Sequence, residues 1–96
     1  MHASFNELAE RELNDAARYY ERERTGLGSA FITEVESATA MILDHPEASP
    51  TVLGDVRRRL CHRFPYGLLY SIKGEEIRIL AVMNLKRRPG YWAGRV

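Results

Sequence analysis

The spacing of apolar residues changes once along this chain, and that change dictates most of what its 96 residues can fold into. Up to about residue 45, apolar side chains recur at steps of three and four. Phe5, Leu8, Ala9, Leu13, Ala16, Ala17 and Tyr20 form one stripe, and Phe31, Val35, Ala38, Met41 and Ile42 form a second. Such a period gathers each set on one helical face. Thr25-Gly26-Leu27-Gly28 separates the two helices, and Ser4 with Glu7 three residues on reads as a capping box for the first. The second helix is predicted to stop at His45, because the residue before Pro46 is pushed out of the α region. Residues 46–54 read as a loop, and beyond them the period becomes two.

Three strands follow from that second period. The first carries Val56, Leu60 and Phe64 on one parity together with Arg58 and His62, and Arg57, Arg59, Cys61 and Arg63 on the other. The second runs from Tyr66 to Ile72 and the third from Ile77 to Met83, with Lys73-Gly74-Glu75-Glu76 as the hairpin turn between them. His62, between two apolar residues of its parity, is expected to be a core or edge histidine. The residues therefore predict a single α+β domain over 1–96, an antiparallel two-helix hairpin on a three-stranded antiparallel sheet. The last strand is apolar on both parities, yet two helices cover only one face of a sheet. Its other face must meet the C-terminal tail, another subunit or a partner.

Charge divides at the same place. Residues 1–53 hold four arginines against ten acids, a net of −6; residues 54–96 hold ten basic residues against three acids, a net of +7. Either the basic half presents a surface to nucleic acid or an acidic protein, or the acidic helices neutralise a basic sheet within the fold. Arg57, Arg59 and Arg63 share one strand parity, about 7 Å apart per two residues, close to the step between phosphates along a nucleic-acid strand. Lys86-Arg87-Arg88 is followed by Tyr91, Trp92 and Arg95. Such a tail can grip a single strand, charge on phosphate and ring on base, or fold back to close the core. One cysteine, Cys61, and three histidines without ligand spacing leave no metal site, and no cofactor motif is present. The absence of a disulfide framework, signal-peptide pattern or long apolar run places the chain in the cytoplasm and off the membrane, as an expectation.

The order of these blocks resembles a known family. Ala16-Ala17-Arg18-Tyr19-Tyr20-Glu21, Gly26-Leu27-Gly28 with Phe31 and Glu34-Val35-Glu36, Val56-Arg57-Arg58, Phe64-Pro65-Tyr66, Ile77 to Val82 and Arg87-Arg88-Pro89-Gly90-Tyr91-Trp92 are similar to the RelE/ParE superfamily of toxins from type II toxin–antitoxin systems. The likeness runs from about Glu7 to Arg95, and such proteins are often labelled plasmid stabilisation proteins. It implies a helical hairpin on a three- to four-stranded antiparallel sheet, with the extra N-terminal strand clipped or absent here, since only Met1 to Phe5 precede the helix. It implies a cognate antitoxin that wraps the toxin. It also implies one of two actions: ribosome-dependent mRNA cleavage, taken as the leading expectation, or inhibition of DNA gyrase, with a non-catalytic binding module as a further alternative. For cleavage the matching catalytic residues are Arg59, Arg63, Arg78, Arg87 and Tyr91. Arg57, Lys86, Arg88, Trp92 and Arg95 would bind RNA or antitoxin. Many relatives carry a histidine where this chain has Asn84, and asparagine transfers no proton.

Overall fold

The computed structural model describes residues 1–95. Its elements run β1 (His2–Phe5), α1 (Glu7–Glu23), α2 (Leu27–Asp44), β2 (Thr51–Leu53), β3 (Val56–Leu60), β4 (Tyr66–Lys73), β5 (Glu76–Asn84) and a closing 3-10 turn (Ala93–Arg95). The expected α+β architecture is present, a helical hairpin on a sheet. The sheet has five strands in the order β1-β5-β4-β3-β2, and β1 pairs in parallel with β5, so it is mixed.

The two additional strands lie at the edges. The six residues before α1 suffice for a full strand, because His2 to Phe5 pair with Glu76 to Ile79 and the Asn6 N–H continues onto the Ile79 carbonyl at 2.8 Å. This moves the helix cap. Ser4 stays extended and its hydroxyl donates to Glu76, while Asn6 caps α1 by accepting from the Leu8 N–H at 2.7 Å. β2 lies within the segment read as loop, turned back onto β3 at Gly54, whose φ is 55°. β3 itself ends at Leu60. The chain then bends through Cys61–Pro65, so Phe64 drops into the helix-side core while His62 and Arg63 are exposed, which corrects the longer strand read from parity.

The helices bury most of the stripes that the sequence marked. Ala9 and Ala16 of α1 are buried, as are Gly28, Phe31, Val35, Ala38 and Ile42 of α2; Leu8 and Met41 are the exceptions and lie exposed. Against them pack Leu68, Tyr70, Ile77, Ile79 and Val82. The hairpin closes tightly at Gly28, where a Cβ would stand 2.5 Å from the Ala17 carbonyl oxygen. Glu21 accepts the N–H groups of Gly26 and Gly28 there. Replacing Gly28 by alanine is expected to force the helices apart. The net cost is about 1–2 kcal/mol of unfolding free energy, since the overpacking exceeds the propensity gain, and chemical denaturation measures it.

The second sheet face has its own small core. β4 and β5 slip register between Leu69 and Tyr70, which pair with Ala81 and Ile79, leaving Leu80 as the extra residue of a bulge. Leu80 and Ala81 thereby both join Val56, Leu69, Met83 and Trp92 on the face away from the helices. The tail after β5 folds over this face and buries Trp92 to 3% exposure.

Candidate functional site: the Glu12 cluster and the open sheet face

β1 stops pairing at Ile79, so the edge of β5 beyond it would be left bare. Glu12 of α1 and Arg95 of the tail close that edge. The Val82 N–H donates to Glu12 Oε1 at 3.0 Å, and Arg95 donates to the Leu80 carbonyl at 3.1 Å. Arg95 also forks onto both Glu12 oxygens, at 2.9 and 3.1 Å, with both side chains more than four-fifths buried. Tyr91 donates its hydroxyl to Glu12 Oε2 at 2.6 Å. Above the Tyr91 ring stand the guanidinium groups of Arg87, 4.1 Å from the centroid, and Arg95, at 5.0 Å.

The electrostatics fix the proton on Tyr91. Burial comes first, then the hydrogen bond to Glu12 and its negative charge, and together they hold the phenol well above its usual range despite the two arginines. Arg95 is held more firmly protonated, chiefly by its hydrogen bonds to Glu12. A small hollow of about 230 Å³ beside the cluster is lined by Asp15, Tyr19, Tyr66 and Asn84 as well as Glu12, Arg87 and Tyr91.

Of the five residues matched to a cleavage role, only Arg87 and Tyr91 meet. Arg59 pairs with Leu68 on the helix side of β3 and lines a crevice with Glu34, Cys61 and His62. Arg63 sits in the exposed bend, 5.5 Å from the Phe64 ring centroid. Arg78 lies opposite Ser71 on the far face and donates to Ser4 at 3.3 Å. Among the proposed binding residues, Arg57 is tied down, donating to the carbonyls of Glu47 and Ser49 at 3.1 and 2.7 Å. Trp92 is core, Arg95 is paired, and Lys86 and Arg88 are exposed. Arg63 does not share a strand face with Arg57 and Arg59, because the strand ends before it.

Glu12, the hub of the cluster, was not singled out by sequence reasoning. It is one of ten acids in the first 53 residues, and nothing local separates it from the solvated ones. The open face also carries a groove of about 480 Å³. Val52, Leu53, Leu60, Leu85, Met83 and Trp92 line it, with Arg58 and Arg87 at its rim. Leu53 and Leu60 are about half exposed there, at 54% and 49%. Among the described residues no group of three His, Cys, Asp or Glu side chains is placed to hold a metal, and no helix is long and apolar enough to cross a membrane.

Burial, followed by the nearby Glu34 charge, pushes the Cys61 thiol up to about 11. At pH 8 its thiolate is scarce, so alkylation is expected to run about a hundredfold slower than for a free cysteine, as a timed thiol-reagent assay would measure.

A family model described as the ParE toxin of the type II toxin–antitoxin system, parDE, matches residues 3–89. Among solved structures the fold is similar to a chain from the "Chromosomal ParDE TA system from P. aeruginosa". The two share 17% identity with a TM-score of 0.67, over 90% of this chain and 97% of that one. No curated protein gives a significant match to this sequence.

Proposed function

The chain belongs to the ParE toxin family of type II toxin–antitoxin systems, and from that premise we propose that it arrests growth by binding DNA gyrase, not by cutting mRNA. The observation that carries this reading is the state of Tyr91. Its hydroxyl is spent on Glu12 and its proton is held there, so it is poorly set to take a proton from a ribose hydroxyl. The other matched residues support it too, since Arg59 faces the helices and Arg78 lies on the far face beside Ser4, so neither stands with Arg87 and Tyr91. Induced expression in a bacterial host tests the proposal. Growth arrest with double-strand breaks and intact mRNA ends is the expected result. New mRNA ends at codons, with DNA unbroken, would overturn it.

Neutralisation requires an antitoxin, and the open-face groove suits one. Its floor is apolar and its rim carries Arg58 and Arg87, a match for a segment with apolar anchors and acidic flanks. Placing glutamate at Leu60 is expected to weaken capture of the cognate antitoxin at least tenfold, measured as a Kd by calorimetry, because the added carboxylate must be desolvated in the groove.

A further inference from the structure

Four cations gather at one end of the sheet, and none of them is paired with a carboxylate among the described residues. β3 hands over to β4 through the bend at Cys61–Pro65, and β5 leaves the sheet at the same end, where Tyr66 pairs with Asn84. The Leu85 N–H donates to the Pro65 carbonyl at 2.9 Å and ties the two segments together. Arg63 projects from the first, and Lys86, Arg87 and Arg88 from the second; all four are exposed. The acids that share hollows with these segments are engaged elsewhere, and Asp15, across a hollow from Arg87, pairs with Arg18. Glu34 accepts the N–H groups of His62 and Arg63, and Glu12 holds Tyr91, Arg95 and the Val82 amide.

The aromatic residues around this end are engaged with other side chains of the protein. Phe64 and Trp92 are buried, Tyr66 packs against Phe31 at 4.9 Å, and Tyr91 has one face under Arg87 and its hydroxyl on Glu12. Tyr19 is half exposed but leans edge-on against Tyr20. A single-stranded nucleic acid is gripped by successive rings on which its bases stack, and no such row stands free here. A duplex has its bases already stacked, and an exposed basic surface without stacking rings meets it through its phosphates. Charge without stacking fits the second ligand.

We propose that this end of the sheet, formed by Arg63, Lys86, Arg87 and Arg88, is a sequence-independent docking surface for the phosphate backbone of duplex DNA. The proposal goes beyond the gyrase reading and does not depend on it, because it concerns binding by the toxin alone. Four phosphate contacts predict a salt slope near −3.6 in log K against log salt, so affinity falls roughly 150-fold between 50 and 200 mM.

Fluorescence anisotropy of the purified full chain with a labelled 20-base-pair duplex of arbitrary sequence tests this, repeated with a second sequence and with single-stranded DNA and RNA of the same length. The double variant Lys86→Glu/Arg88→Glu is expected to bind at least tenfold more weakly and to lose about two units of slope. Arg63→Glu, on the neighbouring segment, is expected to lose about one. The control Arg22→Glu/Arg24→Glu makes the same change in net charge on exposed helix-side residues and is expected to bind within threefold of the unaltered protein. These side chains make no hydrogen bond within the described structure, and unchanged circular dichroism confirms the fold of each variant. Absence of duplex binding at 50 mM salt, an equal loss in the control, or tighter binding to the single strands would each overturn the proposal.

Discussion

Replacing Glu12 by alanine is expected to cost about 2–4 kcal/mol of stability, because it strands three donors at once. The Arg95 guanidinium loses its counterion while mostly buried, Tyr91 loses the acceptor of its hydroxyl, and the Val82 N–H on the open edge of β5 loses its side-chain partner. For a domain of this length that corresponds to a drop of roughly 10–25 °C in Tm. Glu12→Gln keeps an acceptor without the charge, and a loss of about half that size is expected. Two further readings separate the cluster from a general weakening. Trp92 emission should shift to the red as the tail lifts from the second core, and Tyr91 should ionise near its ordinary value of about 10, seen by absorbance at 295 nm. In the unaltered protein the folded-state value of Tyr91 is raised, so its contribution to stability is complete below pH about 10 and declines above it. The Cys61 thiol, also raised, adds a loss of the same sign between its ordinary 9.0 and about 11; a Cys61→Ser background removes it. A stability that rose with pH through this range would show that the cluster is assembled differently.

Phe31→Ala is the second large effect. Phe31 is fully buried, with Phe64 edge-on at 5.1 Å, Tyr66 at 4.9 Å and Tyr20 at 5.4 Å. Those three rings come from the bend after β3, from β4 and from α1, so this one side chain joins the hairpin, the sheet and the bend that carries Arg63. Truncation removes a buried ring and leaves a cavity that three elements would have to move to fill, for about 3–5 kcal/mol. A domain whose whole stability is typically about 5–15 kcal/mol is then close to unfolding at ordinary temperature. Phe31→Leu keeps most of the volume and is expected to lose about 1–2 kcal/mol, so a denaturation series across the two variants reads the cavity directly. Equal losses from both would mean that the aromatic edges, not the filled volume, matter most.

The two helices were legible because their burial is one-sided, and one-sided burial leaves a three-to-four period in the sequence. The stop at His45 and the turn at Gly74 were legible because proline and glycine restrict the backbone locally. The edge strands were not. Four residues of β1 and three of β2 are too few to show a period, and β1 exists only because its partner lies more than seventy residues away. Parity misplaced Phe64, His62 and Arg63 for a related reason: alternation continues through a bend as readily as through a strand, and only the closure of the core tells them apart. The candidate site followed the same division. Arg87 and Tyr91, four residues apart, were found together, whereas Glu12 reaches them from across the chain.

The place of β5 in the sheet sets the order in which the molecule can be completed. Of the five described strands β5 comes last along the chain, yet it lies between β1 and β4. At about 5–20 residues per second the ribosome delivers it only several seconds after β1. Until then β1 has no neighbour, and the helical hairpin has only part of the floor it packs on. The tail that seals β5 through Arg95 emerges later still. The sheet therefore cannot close until β5 has been made, and both the groove and the basic end come into being only after residues 76–92 have emerged.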